Sequence, residues 1–239
     1  MEIVNRLLNY KDLKIVQNTD WFAFSLDSVL LANFVTINKN IKNIIDLCTG
    51  NAPIPIILST KTNADITCVE LQKEIYDLAK KSIDINNLNN RINLLNMDVN
   101  DLTNKYETDT FDIITCNPPY FKVNEKSNLN DNKVKTIARH EIYLELDDIF
   151  LISKKLLKNN GIISIVHRPD RLIEIIESMK KNNIEPKKIR FVYPKKNSEC
   201  NILLIEGAKN GNPGLKILPP LYVHGENGNY LEEIEKMFQ

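Results

Sequence analysis

The chain has 239 residues, of which 43% are apolar, and its 31 basic and 31 acidic side chains give a formal net charge of zero. That composition is typical of a globular domain, and it excludes a disordered chain and a generic polyanion binder. No apolar run is long enough to span a membrane, and the first residues lack the apolar segment of a signal peptide. We therefore expect a cytoplasmic protein without membrane contact.

The four cysteines, at positions 48, 68, 116 and 200, lie far apart in the sequence and form no CxxC pair. This spacing argues against a structural zinc site and against a disulfide framework. We therefore expect free thiols, a reducing compartment and no bound metal.

Short apolar runs alternate with helical patterns after an N-terminal extension at 1–40. The runs predict strands at 43–47, 65–71, 92–96, 111–116, 162–167, 187–193 and 201–207. Helices are predicted at 53–60, 74–86, 146–157 and 168–181, the third of them ended by Asn159, Asn160 and Gly161 as a C-cap. The last two strands follow each other without a helix, which indicates an antiparallel hairpin. The sequence thus predicts one α/β domain at 41–239, with a doubly wound, mostly parallel seven-stranded sheet.

Ligands of such sheets bind outside the carboxyl ends of the strands, so the strand ends hold the candidate binding residues. The loop Asp46–Ala52 follows the first strand and opens a helix, where backbone N–H groups meet an anionic group. Glu70 ends the second strand at the offset where an acid accepts hydrogen bonds from ribose hydroxyls. The alternative for Glu70 alone is a solvated turn residue.

The third strand end points to an adenosine. Asp98 either accepts a hydrogen bond from an adenine amino group or caps the short helix that starts near Val99. Leu71 and Val99 are placed to flank the base. Cys48 and Ala52 stand where pyrophosphate-binding loops often have glycine, so S-adenosylmethionine fits this loop better than a dinucleotide.

The sequence Asn117-Pro118-Pro119-Tyr120 follows the fourth strand and forms a stiff turn. The Asn117 amide oxygen and the Pro118 carbonyl are two fixed acceptors for the hydrogens of a planar NH2 group, and Tyr120 offers a ring for stacking. A delocalised amine held in this way is methylated by positioning against an activated methyl group. The structural alternative is a proline-rich turn with a buried ring.

Six segments carry a resemblance to a known family, and they are FAFSLDSVLLA (22–32), DLCTGNAPIPIIL (46–58), CNPPYF (116–121), IARHE (137–141), VHRPDRL (166–172) and GNPGLKILPPLYV (211–223). Together they resemble the bacterial tRNA1(Val) (adenine(37)-N(6))-methyltransferases. The resemblance implies a Rossmann-like class I methyltransferase fold and S-adenosylmethionine as cofactor. It also implies tRNA as partner and methylation of the adenine 37 amino group. Residues 1–40 are expected to pack on the cofactor site.

These arguments and the resemblance together assign three sets of site residues. The catalytic set is Asn117, Pro118, Pro119 and Tyr120. The cofactor set is Phe24, Ser25, Asp27, Asp46, Cys48, Gly50, Glu70, Leu71, Asp98, Val99 and Asn117. The substrate set is Tyr120, Phe121, Arg139, Lys187, Lys188, Lys195 and Lys196. Ala52 departs from the family pattern, since glycine usually stands there, and its methyl group is expected to hinder the methionine end of the cofactor.

The four lysines of the substrate set belong to KKIRFVYPKK (187–196), which contains five cations, two aromatic residues and no anion. This segment is either an RNA-binding patch or a solvated face. Residues 123–136 show no periodicity and are expected to form a mobile loop that orders over RNA. His140 is interpreted as a loop or RNA-contact residue, and His167 as a contact to substrate or backbone. No stable protein partner is expected.

Two rival functions share the same turn. Glutamine N(5)-methyltransferases of release factors use it, but they carry a helical domain before the catalytic fold, and only about forty residues precede the first predicted strand here. A DNA adenine methyltransferase would need a target-recognition domain for which the chain has no room. A non-catalytic RNA-binding module with this fold is a further alternative.

Overall fold

The computed structural model describes residues 1–7, 12–21, 25–120 and 144–238. The strands in these ranges are β1 (Glu2–Arg6), β2 (Lys14–Asn18), β3 (Asn43–Leu47), β4 (Asp65–Glu70), β5 (Ile92–Asn96), β6 (Phe111–Cys116), β7 (Leu157–His167), β8 (Ile184–Lys195), β9 (Ile202–Lys209), β10 (Lys216–Ile217) and β11 (Leu221–His224). The helices are α1 (Leu26–Phe34), α2 (Pro53–Leu58), α3 (Lys73–Ile85), α4 (Leu102–Lys105), α5 (Leu146–Leu156), α6 (Leu172–Lys181) and α7 (Glu232–Lys236). None of the described helices is long and apolar enough to cross a membrane.

Within the described residues the main sheet has nine strands in the order β10-β8-β9-β7-β6-β3-β4-β5, with β11 also paired to β8. The pairs among β3, β4, β5, β6 and β7 are parallel, whereas β9 is antiparallel to both β7 and β8. The chain winds outward from β3 in one direction through β4 and β5, and in the other through β6 and β7. The predicted mostly parallel, doubly wound sheet with an antiparallel hairpin is therefore confirmed, and β3 and β6 flank its switch point.

Both faces of the sheet are covered, because successive residues of a strand point to opposite sides. In β3, Ile44 packs into a core that includes α1, α2 and α3. Its neighbour Ile45 packs into a second core with α4, α5 and α6. Strands buried on both faces have no polar side to alternate, which is why they are nearly continuous apolar runs in the sequence.

The seven predicted strands are all present, and two short strands that the sequence did not reveal extend the sheet beyond β8. These are β10 and β11, both parallel to β8. The helix predicted at 168–181 begins with a 3₁₀ turn at Pro169–Arg171, and its α-helical part starts at Leu172. Strands as short as two residues carry too little periodicity to be recognised in a sequence.

The C-cap predicted at Asn159–Gly161 is wrong, because α5 ends earlier and these residues lie inside β7. Between the paired residues Phe111 and Ile113 of β6, the register of β7 advances from Leu157 to Ile162, so the segment forms a bulge. Asn160 adopts a φ of +61° there. A Cβ at Gly161 would lie 2.8 Å from a backbone oxygen, so the close approach requires glycine.

The N-terminal segment contains a hairpin and a helix that the sequence analysis left unassigned. β1 and β2 pair in antiparallel register, and the Val16 N–H of β2 donates to Ser82 Oγ of α3 at 2.9 Å. Asn51 Nδ2, in the loop after β3, donates to the Val16 carbonyl at 3.0 Å. The segment therefore contacts the loop predicted to bind the cofactor. That residues 1–40 pack on the cofactor site itself stays a prediction.

Candidate active site

Asp46 is the structural link between the loop after β3 and the neighbouring strand β6. The side chain is fully buried, and it accepts hydrogen bonds from Thr49 Oγ1 at 2.6 Å and Thr115 Oγ1 at 2.5 Å. Its predicted cofactor contact is not supported, since a carboxyl group with no exposed surface offers no face to a ligand. Asp46 instead holds the loop at a fixed position relative to the end of β6.

The burial of Asp46 makes the stability of the fold depend on pH. Desolvation outweighs the two hydroxyl bonds and raises the pKa of Asp46 from 3.8 to about 7. Because the folded pKa lies above the unfolded one, the stabilisation from this group is complete below 3.8 and is lost as the pH rises through about 7.

We expect Asp46→Asn, a neutral side chain of the same shape, to remove this pH dependence. The free energy of unfolding of the variant should improve relative to wild type between about pH 4 and about pH 7, as measured in urea. Glu70, whose pKa burial also raises to about 7 with a smaller contribution from Asp46, should keep most of its own pH dependence in the variant. Parallel pH profiles for the two proteins would contradict the role given to Asp46.

The loop from Cys48 to Ala52 owes its shape to three residues in the left-handed region. Cys48, Gly50 and Ala52 have φ values of 56°, 59° and 71°. Each non-glycine residue in that conformation costs about 1–2 kcal/mol, so the loop is held against a local preference. A Cβ built at Gly50 would meet nothing within 4 Å, which leaves open space above the loop. Ala52 is fully buried in the core, so its methyl group does not face that space. The sequence analysis had expected this methyl group to hinder the methionine end of the cofactor.

Glu70 lies at the end of β4 and fixes the same loop from the other side. Its Oε2 accepts the Gly50 N–H at 3.0 Å, and its Oε1 accepts the Gln72 N–H at 2.9 Å. Glu70 is 7% exposed, and burial is the main cause of its raised pKa. This placement brings Glu70 and Gly50 together, as the sequence predicted, at the edge of the open space.

The residues assigned to the adenine base differ in accessibility. Asp98 caps the 3₁₀ turn that follows it, since its Oδ1 accepts the Asn100 N–H at 2.8 Å, so the cap alternative of the sequence analysis is observed. Leu71 is 37% exposed, whereas Val99 is 5% exposed and packs in the core. The structure therefore supports Leu71, but not Val99, as an apolar surface for a ligand.

Asn117 follows β6 at the switch point, and its amide is held at both ends. Its Nδ2 donates to Ser28 Oγ of α1 at 3.1 Å. The Tyr120 hydroxyl lies 2.7 Å from Asn117 Oδ1 and 2.8 Å from Asp27 Oδ2, so its single proton is located between two acceptors. Burial and the nearby Asp27 raise the pKa of Tyr120 well above 10, so this hydroxyl keeps its proton.

His167, the last residue of β7, packs beside the turn. Its ring centroid lies 5.2 Å from that of Tyr120, and its Nδ1 accepts the Arg168 N–H at 2.8 Å. Burial lowers the pKa of His167 to about 4, so the ring is neutral. The backbone contact predicted for His167 is thus observed, while its proximity to Tyr120 was not foreseen.

Several assigned residues lie outside the described residues, namely Phe24, Phe121, Arg139, His140 and the loop 123–136. Ser25 precedes α1 as its N-cap residue, and Asp27 lies in the first turn of that helix. The sequence analysis missed three residues that position the site, namely Ser28, Thr49 and Thr115. Hydroxyl side chains are common in strands and helices, and only the fold brings these three next to Asp46 and Asn117.

The basic segment of β8 runs between the two edges of the sheet that are formed by the ends of its strands. β8 is antiparallel to β9, which is antiparallel to β7, so the end of β8 at Lys195 lies at the same edge as Asn117. Lys195 and Lys196 are exposed there, whereas Lys187 and Lys188 lie at the opposite edge.

The two lysines at the opposite edge bond to the protein itself. Lys188 donates to the Phe34 carbonyl at 2.7 Å and pairs with Glu206 at 3.2 Å. Lys187 donates to the Asn212 carbonyl at 2.9 Å. The predicted RNA contact is therefore not supported for Lys188, whose ammonium group is committed to the fold.

Aromatic rings accompany the lysines at the active-site edge. Tyr193 and Tyr222 lie on the paired strands β8 and β11 with ring centroids 5.5 Å apart. His224 stacks on Tyr230 at 4.9 Å. The sequence showed the basic segment with its aromatic residues, but the partner rings of β11 became recognisable only through the strand pairing.

The fold and the strand-end site define a Rossmann-like α/β methyltransferase. The chain belongs to the methyltransferase small domain family, whose model matches residues 26–182. The methyltransferase resemblance found in the sequence motifs is therefore confirmed. Within the described ranges, no group of three or more His, Cys, Asp or Glu side chains is placed to hold a metal ion.

Relatives and solved structures are similar over most of the chain. A Glaesserella parasuis protein named tRNA1(Val) (adenine(37)-N6)-methyltransferase is 33% identical over 158 residues, or 66% of this chain and 64% of that protein. The matched segment therefore spans less than two thirds of that relative. A protein of the same name from Aliivibrio salmonicida is 25% identical over 232 residues, covering 94% of this chain and 93% of its own length. A structure described as a predicted O-methyltransferase from Agrobacterium tumefaciens superposes with a TM-score of 0.71 at 19% identity, over 89% of this chain and 95% of that one.

Proposed function

We propose that the protein transfers a methyl group from S-adenosylmethionine to the exocyclic amino group of an adenine in RNA, and that this adenine is position 37 of tRNA(Val). The observation that carries the proposal is the fixed amide of Asn117, whose oxygen already accepts from an O–H donor at 2.7 Å beside the switch point. The names of the Glaesserella and Aliivibrio relatives favour tRNA as the substrate. A tRNA-modifying role also implies a cytoplasmic protein, and we propose no stable protein partner.

The residues at the strand ends fit the cofactor. The space above Gly50 is open, the Gly50 N–H bonds to the Glu70 carboxyl group, and the neighbouring Leu71 is exposed. These features suit a ribose and an apolar base face. When bound there, S-adenosylmethionine supplies an electrophilic methyl group. The chain contributes the binding loop and the fixed distance between that loop and Asn117, which Asp46 maintains through Thr49 and Thr115.

Asn117 performs the central positioning step. An adenine amino group is a weak nucleophile because its lone pair is delocalised into the ring. Two acceptors, Asn117 Oδ1 and the Pro118 carbonyl, would hold both N–H bonds and favour a geometry in which the lone pair points at the methyl group. The Tyr120 hydroxyl now lies 2.7 Å from Asn117 Oδ1, and it would leave that oxygen when the Tyr120 ring turns to stack on the base.

The proposal is tested by incubating the protein with total bacterial RNA and S-adenosylmethionine labelled in its methyl group. Nucleoside analysis should recover the label in N(6)-methyladenosine, and in the tRNA fraction. Label in a release-factor protein instead would favour the glutamine N(5)-methyltransferase alternative. RNA binding without transfer would favour the non-catalytic module.

The basic patch gives a second prediction, in which the two edges of the sheet serve as test and control. The patch at Lys195 and Lys196 lies three strand spacings, about 14 Å, from β6, within reach of an RNA stem whose loop enters the site. Replacing both lysines by alanine should weaken RNA binding and reduce the slope of log K against log salt by about 1.4–1.8, as expected for two lost phosphate contacts.

Lys187→Ala is the matched control at the opposite edge, and it should leave the salt slope unchanged. Filter binding of tRNA at several salt concentrations measures both variants. Equal slopes for wild type and the Lys195, Lys196 double variant would show that the patch is only a solvated face.

A further inference from the structure

His167 carries a buried hydrogen-bond donor that has no partner in the described part of the chain. Nδ1 accepts the Arg168 N–H and therefore bears no proton, so the proton of the neutral ring is on Nε2. That Nε2 is buried and makes no hydrogen bond among the described residues. His167 as a whole is 1% exposed. A buried donor left without a partner destabilises the fold, and an apolar side chain at this position would avoid that cost.

Tyr120 packs against His167 and also bonds at the acceptor proposed for the substrate. The Tyr120 ring lies beside the imidazole at 5.2 Å, and the Tyr120 hydroxyl lies 2.7 Å from Asn117 Oδ1. In the proposed function this ring stacks on the base, and to do so it would turn and leave its bonds to Asn117 and Asp27. That turn would uncover the imidazole edge next to the position that the base takes.

We propose that His167 is a base-reading residue, whose Nε2–H donates a hydrogen bond to a ring nitrogen of the target adenine after Tyr120 has turned. The inference rests on the proposed function. Adenine presents the lone pairs of N1 and N7 on either side of its amino group, so a donor close to Asn117 meets one of them. Guanine carries a hydrogen on N1 and an oxygen on the neighbouring carbon. If N1 is the atom read, the His167 donor would face the N1 hydrogen of guanine, and the Asn117 and Pro118 acceptors would face its oxygen.

Two variants separate the donor from the rest of the ring. His167→Asn keeps an acceptor at the place of Nδ1 for the Arg168 N–H and lacks the distal donor. His167→Gln places an amide N–H near the position of Nε2. If the imidazole were only a packing group beside Tyr120, the two amides would behave alike.

The substrates for the test are synthetic anticodon stem-loops of tRNA(Val) that carry adenosine, 1-deazaadenosine or 7-deazaadenosine at the target position. With wild type, we expect kcat/KM to fall about tenfold for one of the two deaza analogues relative to the other. His167→Asn should lose about tenfold on adenosine and should no longer distinguish the analogues, while His167→Gln should regain part of both. The affinity for S-adenosylmethionine, measured by calorimetry, should stay within about twofold in each folded variant.

The outcomes that overturn the proposal are equally defined. Equal rates of wild type on both analogues, or a His167→Asn enzyme that still distinguishes them, would show that His167 does not read the base. If His167→Asn does not fold, the comparison of wild type with His167→Gln on the analogues decides the question. Failure of wild type to methylate the adenosine stem-loop and every cellular RNA would instead refute the proposed function.

Discussion

Asn117→Ala is expected to lower kcat for methyl transfer by about a thousandfold while the affinity for S-adenosylmethionine stays nearly unchanged. The amide oxygen is one of the two fixed acceptors proposed for the amino group, and its bond to the amine strengthens as positive charge develops on nitrogen. Alanine removes that acceptor and leaves in place the loop at Gly50, which is proposed to bind the cofactor. Single-turnover rates with labelled cofactor and calorimetry of cofactor binding measure the two effects separately.

Ser28→Ala is the control for this prediction. It removes the hydroxyl that accepts from Asn117 Nδ2 and leaves the amide oxygen intact. We expect a loss of no more than about tenfold, because one neutral hydrogen bond orients the amide without contacting substrate. Turnover of Asn117→Ala near the wild-type rate, or a loss in Ser28→Ala as large as that of Asn117→Ala, would refute the positioning mechanism.

Glu206→Ala is expected to produce the largest loss of stability, about 3–5 kcal/mol in the free energy of unfolding. The Glu206 side chain is 5% exposed and pairs with Lys188, whose side chain is 18% exposed. It also accepts hydrogen bonds from Ser164 Oγ at 2.7 Å and from the N–H and hydroxyl of Thr36 at 2.8 Å and 2.7 Å. Alanine leaves the Ser164 and Thr36 donors without this acceptor, and it leaves the Lys188 ammonium group, which still bonds to Phe34 and Thr36, without its counter-charge in a region with little water.

The control for the buried pair is an exposed pair of the same chemistry. Lys81 and Glu2 form an ion pair at 2.6 Å, and their side chains are 51% and 48% exposed. Glu2→Ala should therefore cost no more than about 1 kcal/mol. Urea unfolding of both variants gives the comparison, and similar small losses for the two would show that Glu206 does not anchor this part of the sheet.

The fold was predictable from the sequence wherever burial left a strong pattern. β3, β5 and β6 were placed to the residue. β3 and β6 are buried on both faces and therefore appear as nearly unbroken apolar runs. β7 was placed too late because Asn159, Asn160 and Gly161 are typical both of a helix end and of a bulge. Only the partner strand decides between the two, and its register is not a local property of the sequence.

The candidate site was predictable in its outline but not in its contacts. Gly50, Glu70 and Asn117 are brought together because each follows a parallel strand, and that rule depends on topology alone. The environments of Asp46 and Lys188 were not foreseen, since the bond to Thr115 and the pair with Glu206 depend on residues distant in sequence. A lysine in a basic segment and a lysine in a buried pair have the same sequence signal.

The contact between the Tyr120 hydroxyl and Asn117 has a consequence for how binding energy is used. In the free protein the Tyr120 proton is shared between that oxygen and Asp27, so an amino group that replaces the hydroxyl exchanges one hydrogen bond for another and gains little affinity from it. In the proposed mechanism the N–H bonds become those of a cation as the nitrogen takes on a methyl group, and their bond to the amide oxygen becomes stronger than that of a neutral phenol. Asn117 would then contribute little to the binding of unreacted RNA and most to the chemical step, which accelerates turnover without raising the affinity for the substrate.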